Sequence, residues 1–174
     1  MKQLGIENFS AKRVWVIGAS SGIGEACARA LISAGAKVAL SSRRVERLNQ
    51  IAQSAPKDQT LCIPLDVTNE AQLQEGYQAI QNAWGGIDLM LFVSGVYTPL
   101  RADDFDIRVA EKTIDANLMG PMRAVALVLP EMLRAHAGHI AIVGSVAGYS
   151  GLPKALAYGP SKAAIINICE NLYY

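Results

Sequence analysis

Short, continuous apolar runs alternate along this chain with longer stretches in which apolar residues recur every three or four positions. Val14–Ile17, Lys37–Ser41, Leu61–Pro64, Asp88–Val93 and His139–Val143 are the short runs, and their aliphatic content predicts five strands. The longer stretches predict helices. Gly22–Ala34 places apolar side chains at Ile23, Cys27, Ala30, Leu31 and Ala34, and Gly35 can end it in a left-handed cap. A second helix runs over residues 45–55. Asn69 can cap a third, with Gln72 three residues on and a stripe at Leu73, Tyr77, Ile80 and Trp84 before Gly85-Gly86 stops it. After a polar loop containing Pro99, a long stripe at Ile114, Leu118, Met122, Val125, Leu129 and Leu133 closes at Gly138. A last helix begins near Pro160. Residues 1–13 read as a polar lead-in.

Strict alternation of strand and helix implies a doubly wound α/β fold, a parallel sheet with helices on both faces. Right-handed crossovers from a first strand that carries a ligand loop favour the strand order 3-2-1-4-5. Residues 1–174 are expected to form one domain, without repeats or linkers. Composition narrows the choice of partners. The chain is 51% hydrophobic and 18% charged with a formal net charge of +1, which gives no case for nucleic acid or a membrane surface. No apolar run approaches a membrane span or a signal-peptide core, so the cytoplasm is the expected location. Cys27, Cys62 and Cys169 lie far apart with no metal-ligand spacing, and read as small core residues in a reducing compartment.

The first strand runs into Gly18-Ala19-Ser20-Ser21-Gly22-Ile23-Gly24, and a helix follows at once. Strand, glycine turn, helix is the setting a dinucleotide's pyrophosphate needs. Gly18 can take a backbone conformation closed to other residues, Gly22 lets the main chain approach the phosphates, and Gly24 lets helix and strand pack closely. The free N–H groups of the helix's first turn then face the anion. Taken alone, the same glycines would serve any tight turn. A second constellation lies downstream. Tyr158 and Lys162 are four apart and share a helix face. A free phenol titrates near pH ~10, and a neighbouring ammonium brings it toward the working range. Such a pair also occurs by chance in many helices. Ser145 follows the fifth strand, at the carboxyl end where ligands of open α/β sheets bind.

Together the glycine loop, Asn117, Ser145, Tyr158 and Lys162 resemble the short-chain dehydrogenase/reductase family, and the likeness spans essentially the whole chain. The resemblance implies a Rossmann-like fold and hydride transfer between a nicotinamide and a carbonyl or alcohol. It implies that Tyr158 exchanges the proton with the substrate oxygen and that Ser145 positions that oxygen. Lys162 lowers the tyrosine's pKa and holds the nicotinamide ribose, with Tyr158 close by, and Asn117 anchors a relay water. Cofactor contacts are implied for Gly18, Ser20, Ser21, Gly22, Ile23 and Gly24, for Asp66 and Val67 near the adenine, and for Gly95. Pro121 has no N–H to bond back to the Asn117 carbonyl, which would leave that carbonyl for water, although Gly120-Pro121 also suits a helix start or kink. Two positions depart from the family. Ile17 replaces a threonine before the first glycine, and Phe92-Val93-Ser94-Gly95 replaces Asn-Asn-Ala-Gly; exchanging polar for apolar groups on both strands strands no donor.

An NAD site would place an acid at the end of the second strand, whereas this chain has Ser41-Ser42-Arg43-Arg44. Two arginines before a helix N-terminus oppose its dipole by about 0.3–1 kcal/mol each, and a 2′-phosphate would offset that. NADP(H) is therefore the expected cofactor, with Arg43 as its ligand, Ser42 as helper and NAD(H) as the other candidate; two solvated arginines are the bland alternative. Val96, Tyr97, Val146 and Leu152 suggest an apolar carbonyl or alcohol substrate, and the apolar helices after residues 122 and 158 suggest a homo-oligomer. Two other functions fit parts of the sequence. Gly18-Ala19-Ser20-Ser21-Gly22 also fits a hydrolase nucleophile elbow, but only His136 and His139 could complete it. A non-catalytic dinucleotide sensor or scaffold is the other. The chain stops inside the helix that bears Lys162, where the family continues with two more strands and a lid. This predicts a piece of a longer enzyme that alone binds cofactor poorly, with an apolar edge at His139–Val143.

Overall fold

A computed structural model of the protein describes residues 8–56 and 58–173; the first seven residues of the lead-in and Tyr174 lie outside the described residues. The elements are β1 (Arg13–Ile17), α1 (Gly22–Ser33), β2 (Lys37–Ser42), α2 (Val45–Ala52), β3 (Thr60–Pro64), α3 (Glu70–Trp84), β4 (Leu89–Phe92), α4 (Ile107–Ile114), α5 (Gly120–Ala135), β5 (His139–Ile142) and α6 (Tyr158–Tyr173). The five strands form one sheet in the order β3-β2-β1-β4-β5, and every pairing is parallel. That is the expected order, and β5 pairs with β4 alone.

β1 shows why its sequence is apolar throughout. Val14 and Val16 point to one face and pack with Ala28, Leu31, Leu48 and Ile51 of α1 and α2. Trp15 and Ile17 point to the other and pack with Leu73, Ile80 and Val128 of α3 and α5. A strand covered on both faces has no polar side. Trp15 is fully buried, and its indole N–H donates to the Ser41 hydroxyl on β2 at 2.9 Å. Asn69 caps α3 as its position predicts, accepting from the Gln72 amide at 3.1 Å, and Gly85 ends it with φ 73°.

The structure corrects the helical stripes in two places. In α1 the buried residues are Gly24, Ala28, Leu31 and Ile32, while Ile23 is 60% exposed and faces a cleft rather than the sheet. The long helix expected from Ile114 starts earlier, at Asp106, whose carboxylate accepts the Arg108 amide at 2.8 Å. It is also interrupted. Residues Asp115–Met119 form a wide turn in which the Gly120 amide donates to the Asp115 carbonyl, five residues back. One extra residue per turn advances the register, so α5 buries Ala124, Val125, Val128 and Met132 and leaves Met122 and Leu133 outside. Pro121 sits in the first turn of α5, so no amide is available there for an α-helical bond to the Asn117 carbonyl. α5 ends at His136 with φ 48°, two residues before Gly138. The three cysteines are half-buried and free, not core residues as expected. Among the described residues no helix is long and apolar enough to cross a membrane.

The amino-terminal ends of the strands are closed by charge. Arg13 grips Asp88 through its backbone amide, Nε and Nη2, at 2.8, 3.0 and 2.7 Å. Tyr77 and Gln81 of α3 both donate to the Glu131 carboxylate of α5. The Arg13 hydrogen bonds hold the Asp88 carboxyl below the usual carboxylate range, against the upward push of burial. A depressed folded pKa gives stabilisation that is present above the ordinary carboxylate pKa and lost as pH falls through and below it. Asp88→Asn is accordingly expected to cost about 1 kcal/mol at pH 7, and the difference from wild type should shrink in urea melts between pH 5 and pH 3.

Candidate functional site

Beyond the carboxyl ends of β1, β2, β3 and β4 the structure opens a cleft of about 680 Å³, and the glycine loop forms one wall. Two glycines allow this wall to exist. Gly18 has φ 101°, and a Cβ on it would lie 2.5 Å from the Ser94 backbone nitrogen. A Cβ on Gly24 would lie 2.0 Å from the Gly18 carbonyl oxygen, so α1 can start against the loop only with glycine there. Gly22, with φ 55°, has open space beyond it. Ser21 is the first cap residue of α1, yet its hydroxyl makes no cap bond, and the first-turn amides are left for a ligand.

The opposite wall carries the arginines. Arg44 crosses to the glycine loop and donates to the Ser20 hydroxyl at 3.0 and 3.2 Å and to the Ser21 hydroxyl at 2.5 Å. Ser42 accepts the Arg44 amide at 3.1 Å. Arg43 is 72% exposed and reaches Asp66 only at 3.7 Å. Burial would raise the Asp66 carboxyl, but both hydrogen bonds from Thr68 and the charge of Arg43 prevail and hold it low. Arg29 and Arg47 share Glu25 at 2.9 Å each. Among the described residues Arg44 alone of these four has no carboxylate partner, although it sits at the amino ends of both α1 and α2, where the helix dipoles oppose a cation. Of the predicted contacts Ser20, Ser21, Ile23, Ser42, Arg43, Asp66, Val67 and Gly95 line the cleft with Gly18. The missed contributor is Arg44, set aside in favour of Arg43 because sequence order alone does not show which side chain turns inward.

The second constellation lies beside the cleft. Asn117, on the wide turn and 1% exposed, accepts the Val96 amide at 2.7 Å and donates to the Val96 carbonyl at 2.8 Å. Its amide also lies 3.4 Å from the Ser161 hydroxyl, which donates to the Tyr158 carbonyl at 2.7 Å. Ser161 was not anticipated. The Lys162 ammonium donates to the Val143 carbonyl at 2.8 Å and lies 5.8 Å from the centre of the Tyr158 ring. Burial pushes the Lys162 pKa below the usual lysine value. Gly95 joins the two halves, since a Cβ there would stand 3.2 Å from Asn117 Oδ1 and 3.9 Å from Lys162 Nζ. Ser145 accepts the Ala147 amide at 3.2 Å and caps a short turn over Val146–Gly148. No hydrogen bond joins the Tyr158 hydroxyl to Ser145 or to Lys162, so the three expected partners are neighbours along their elements without a direct link.

The departures at Ile17 and Phe92 have a packing explanation. Both are buried, they pair in register, and the Ile17 carbonyl accepts the Val93 and Ser94 amides at 2.8 and 2.9 Å. Among the described residues no buried side-chain nitrogen or oxygen lacks a partner. The hydrolase alternative fails on geometry: His136 ends α5 and His139 starts β5, at the amino-terminal end of the sheet, whereas Ser20 lies beyond the carboxyl end of β1. No group of metal-ligating side chains occurs among the described residues.

Comparison with known proteins agrees with this geometry. The family model described as short chain dehydrogenase matches residues 12–173. An uncharacterized oxidoreductase of Staphylococcus aureus (strain MW2) is 33% identical over 157 residues, which cover 90% of this chain and 68% of that protein. A short-chain dehydrogenase structure from Streptomyces avermitilis superposes with a TM-score of 0.89 at 28% identity, covering 94% of this chain and 60% of that one. Serine dehydrogenase from Escherichia coli superposes at 0.84 with 32% identity, over 91% of this chain and 74% of that one. The chain therefore spans between three fifths and three quarters of these proteins' lengths.

Replacing Asn117 by Ala would leave the Val96 amide and carbonyl without their side-chain partner. It is expected to cost on the order of 1–3 kcal/mol in urea melts and to speed hydrogen exchange at the Val96 amide.

Proposed function

We propose, because the chain belongs to the short-chain dehydrogenase family of oxidoreductases, that the protein transfers hydride between NADP(H) and an apolar carbonyl or alcohol. The observation that carries this reading is Lys162, a buried ammonium with no carboxylate partner among the described residues, held between the Tyr158 ring and the Gly95 backbone. A bound nicotinamide supplies or accepts the hydride. The chain's own groups do the rest. Tyr158 exchanges the proton with the substrate oxygen, Ser145 hydrogen-bonds that oxygen once its hydroxyl turns from the Ala147 amide, and Lys162 holds the ribose hydroxyls. Asn117 fixes the Val96 loop and offers its carbonyl to a relay water.

The fit of a dinucleotide rests on three features. The first-turn amides of α1 are open, Gly18 and Gly95 keep the floor free of side chains, and Arg44 is a cation awaiting an anion. Preference for the 2′-phosphate follows from Arg43 and Arg44 together, with Ser42 beside them, in the absence of an acid at the end of β2. Apolar side chains exposed on neighbouring loops, Tyr97, Val146 and Leu152, favour an uncharged substrate. Met119, Met122 and Leu133, exposed beside or on α5, favour a homo-oligomer, which mass photometry would count.

The test is NADPH oxidation by the full-length protein with a panel of ketones and aldehydes. Tyr158→Phe is expected to lower kcat at least a hundredfold while leaving NADPH affinity within about twofold. Arg44→Ser is expected to weaken NADPH binding about tenfold or more, with little change for NADH. NADPH binding without turnover of any carbonyl would favour a sensor or scaffold instead. Equal losses for both nucleotides would remove the NADP assignment.

A further inference from the structure

The loop between β4 and α4 is tied down at both ends. Asn117 holds Val96 by two hydrogen bonds. Four residues later the Leu100 amide donates to the Lys154 carbonyl at 3.0 Å, and the Leu156 amide donates to the Leu100 carbonyl at 3.3 Å. This short parallel ribbon joins the loop to the segment that leads directly into Tyr158. Tyr97 stands between the two ties. It is 53% exposed, its hydroxyl makes no hydrogen bond with any described residue, and its ring meets Tyr158 at 5.2 Å between centres and 77° between planes.

The Tyr158 hydroxyl likewise makes no hydrogen bond with any described residue. The contacts that bear on the direction of its ring are the Lys162 ammonium at 5.8 Å and the ring of Tyr97. A T-shaped aromatic pair is directional, since one ring's positive edge seeks the other's negative face. No hydrogen bond to a described residue fixes the Tyr97 side chain; the tethered backbone brings its ring to Tyr158. Segments 94–100 and 144–157 carry a single charge between them, Lys154, so apart from the Lys162 ammonium beneath Tyr158 the two loops offer the pair neutral side chains.

We propose that Tyr97 is a positioning and specificity-determining residue: its ring holds Tyr158 in the direction needed for proton exchange, and its exposed side receives a flat, apolar carbonyl substrate of the aryl ketone or aryl aldehyde class. This rests on the oxidoreductase reading above. An alkyl ketone gains less from the same wall, because it offers no face or edge to an aromatic ring.

The experiment compares full-length wild type with Tyr97→Phe and Tyr97→Leu, using ring-labelled tyrosine and two substrates, an aryl methyl ketone and a linear alkyl ketone of similar size. The Tyr158 ring signal is identified by its loss in Tyr158→Phe. The expected result is a ring-current shift on Tyr158 in wild type and Tyr97→Phe that disappears in Tyr97→Leu. With it, the ratio of kcat/KM for aryl over alkyl substrate should fall roughly threefold to tenfold in Tyr97→Leu, remain in Tyr97→Phe, and be accompanied by a displaced pH–rate profile. NADPH affinity, read by fluorescence, should not follow the ratio. An unchanged Tyr158 signal in all three proteins, or a shift lost with the ratio intact, overturns the proposal while NADPH-dependent turnover leaves the oxidoreductase reading standing. Absence of turnover by wild type with every carbonyl tried overturns both.

Discussion

Lys162 is an ammonium 6% exposed, with a backbone carbonyl as its hydrogen-bond partner and no counter-charge among the described residues. Burial of a cation costs free energy unless something nearby gains from it. The rest of the site is arranged so that this charge persists at one spot. β5 delivers the Val143 carbonyl, α6 delivers the lysine one turn after Tyr158, and Gly95 brings a side-chain-free backbone close enough to share the space. Asn117 then locks the Val96 loop against the same group. Four elements converge there, and each is placed by the parallel sheet, whose strand ends all open on one side.

Positive charge is organised differently at the other end of the cleft. Arg29 and Arg47 neutralise Glu25, and Arg43 leans toward Asp66, so these side chains largely satisfy one another. Arg44 is engaged by hydroxyls alone. Neutral acceptors orient a guanidinium without cancelling its charge. Arg44 thus stands at the glycine loop with its charge uncancelled, and Lys162 does the same beside the cleft, next to Gly95.

Much of this was legible in the residues. Five apolar runs separated by capped helical patterns specify the sheet order, because right-handed crossovers leave few other arrangements. Strand ends fell within a residue or so, since Pro64 and the glycine turns are local signals. The α1 and α5 stripes were misread for two separate reasons. Ile23 is apolar because it faces a ligand cleft, and period alone cannot tell a core from a cleft. The α5 stripe assumed an uninterrupted helix, whereas the turn at Asp115–Met119 carries one residue more than an α turn, and nothing in Asp115-Ala116-Asn117-Leu118-Met119 announces that. Spacing and family likeness single out Asn117, Tyr158 and Lys162, and the structure places them around the Val96 loop and Gly95. The turn of Arg44 toward the glycine loop, the contact of Ser161 with Asn117 and the ring pairing of Tyr97 with Tyr158 depend on side-chain directions that the sequence does not show.

That wide turn also decides what a change of chain length would do at this point. Residues along an α-helix are spaced by about 100° of rotation. A turn closed by five residues instead of four takes up one residue's worth of that rotation, so deleting one residue between Asp115 and Met119 would close ordinary helix while α5 kept Ala124, Val125 and Val128 on the sheet. What the deletion would displace is Asn117, whose side chain reaches Val96 from inside the wide turn. A shortened chain should therefore keep its helix and lose the link between that helix and the Val96 loop.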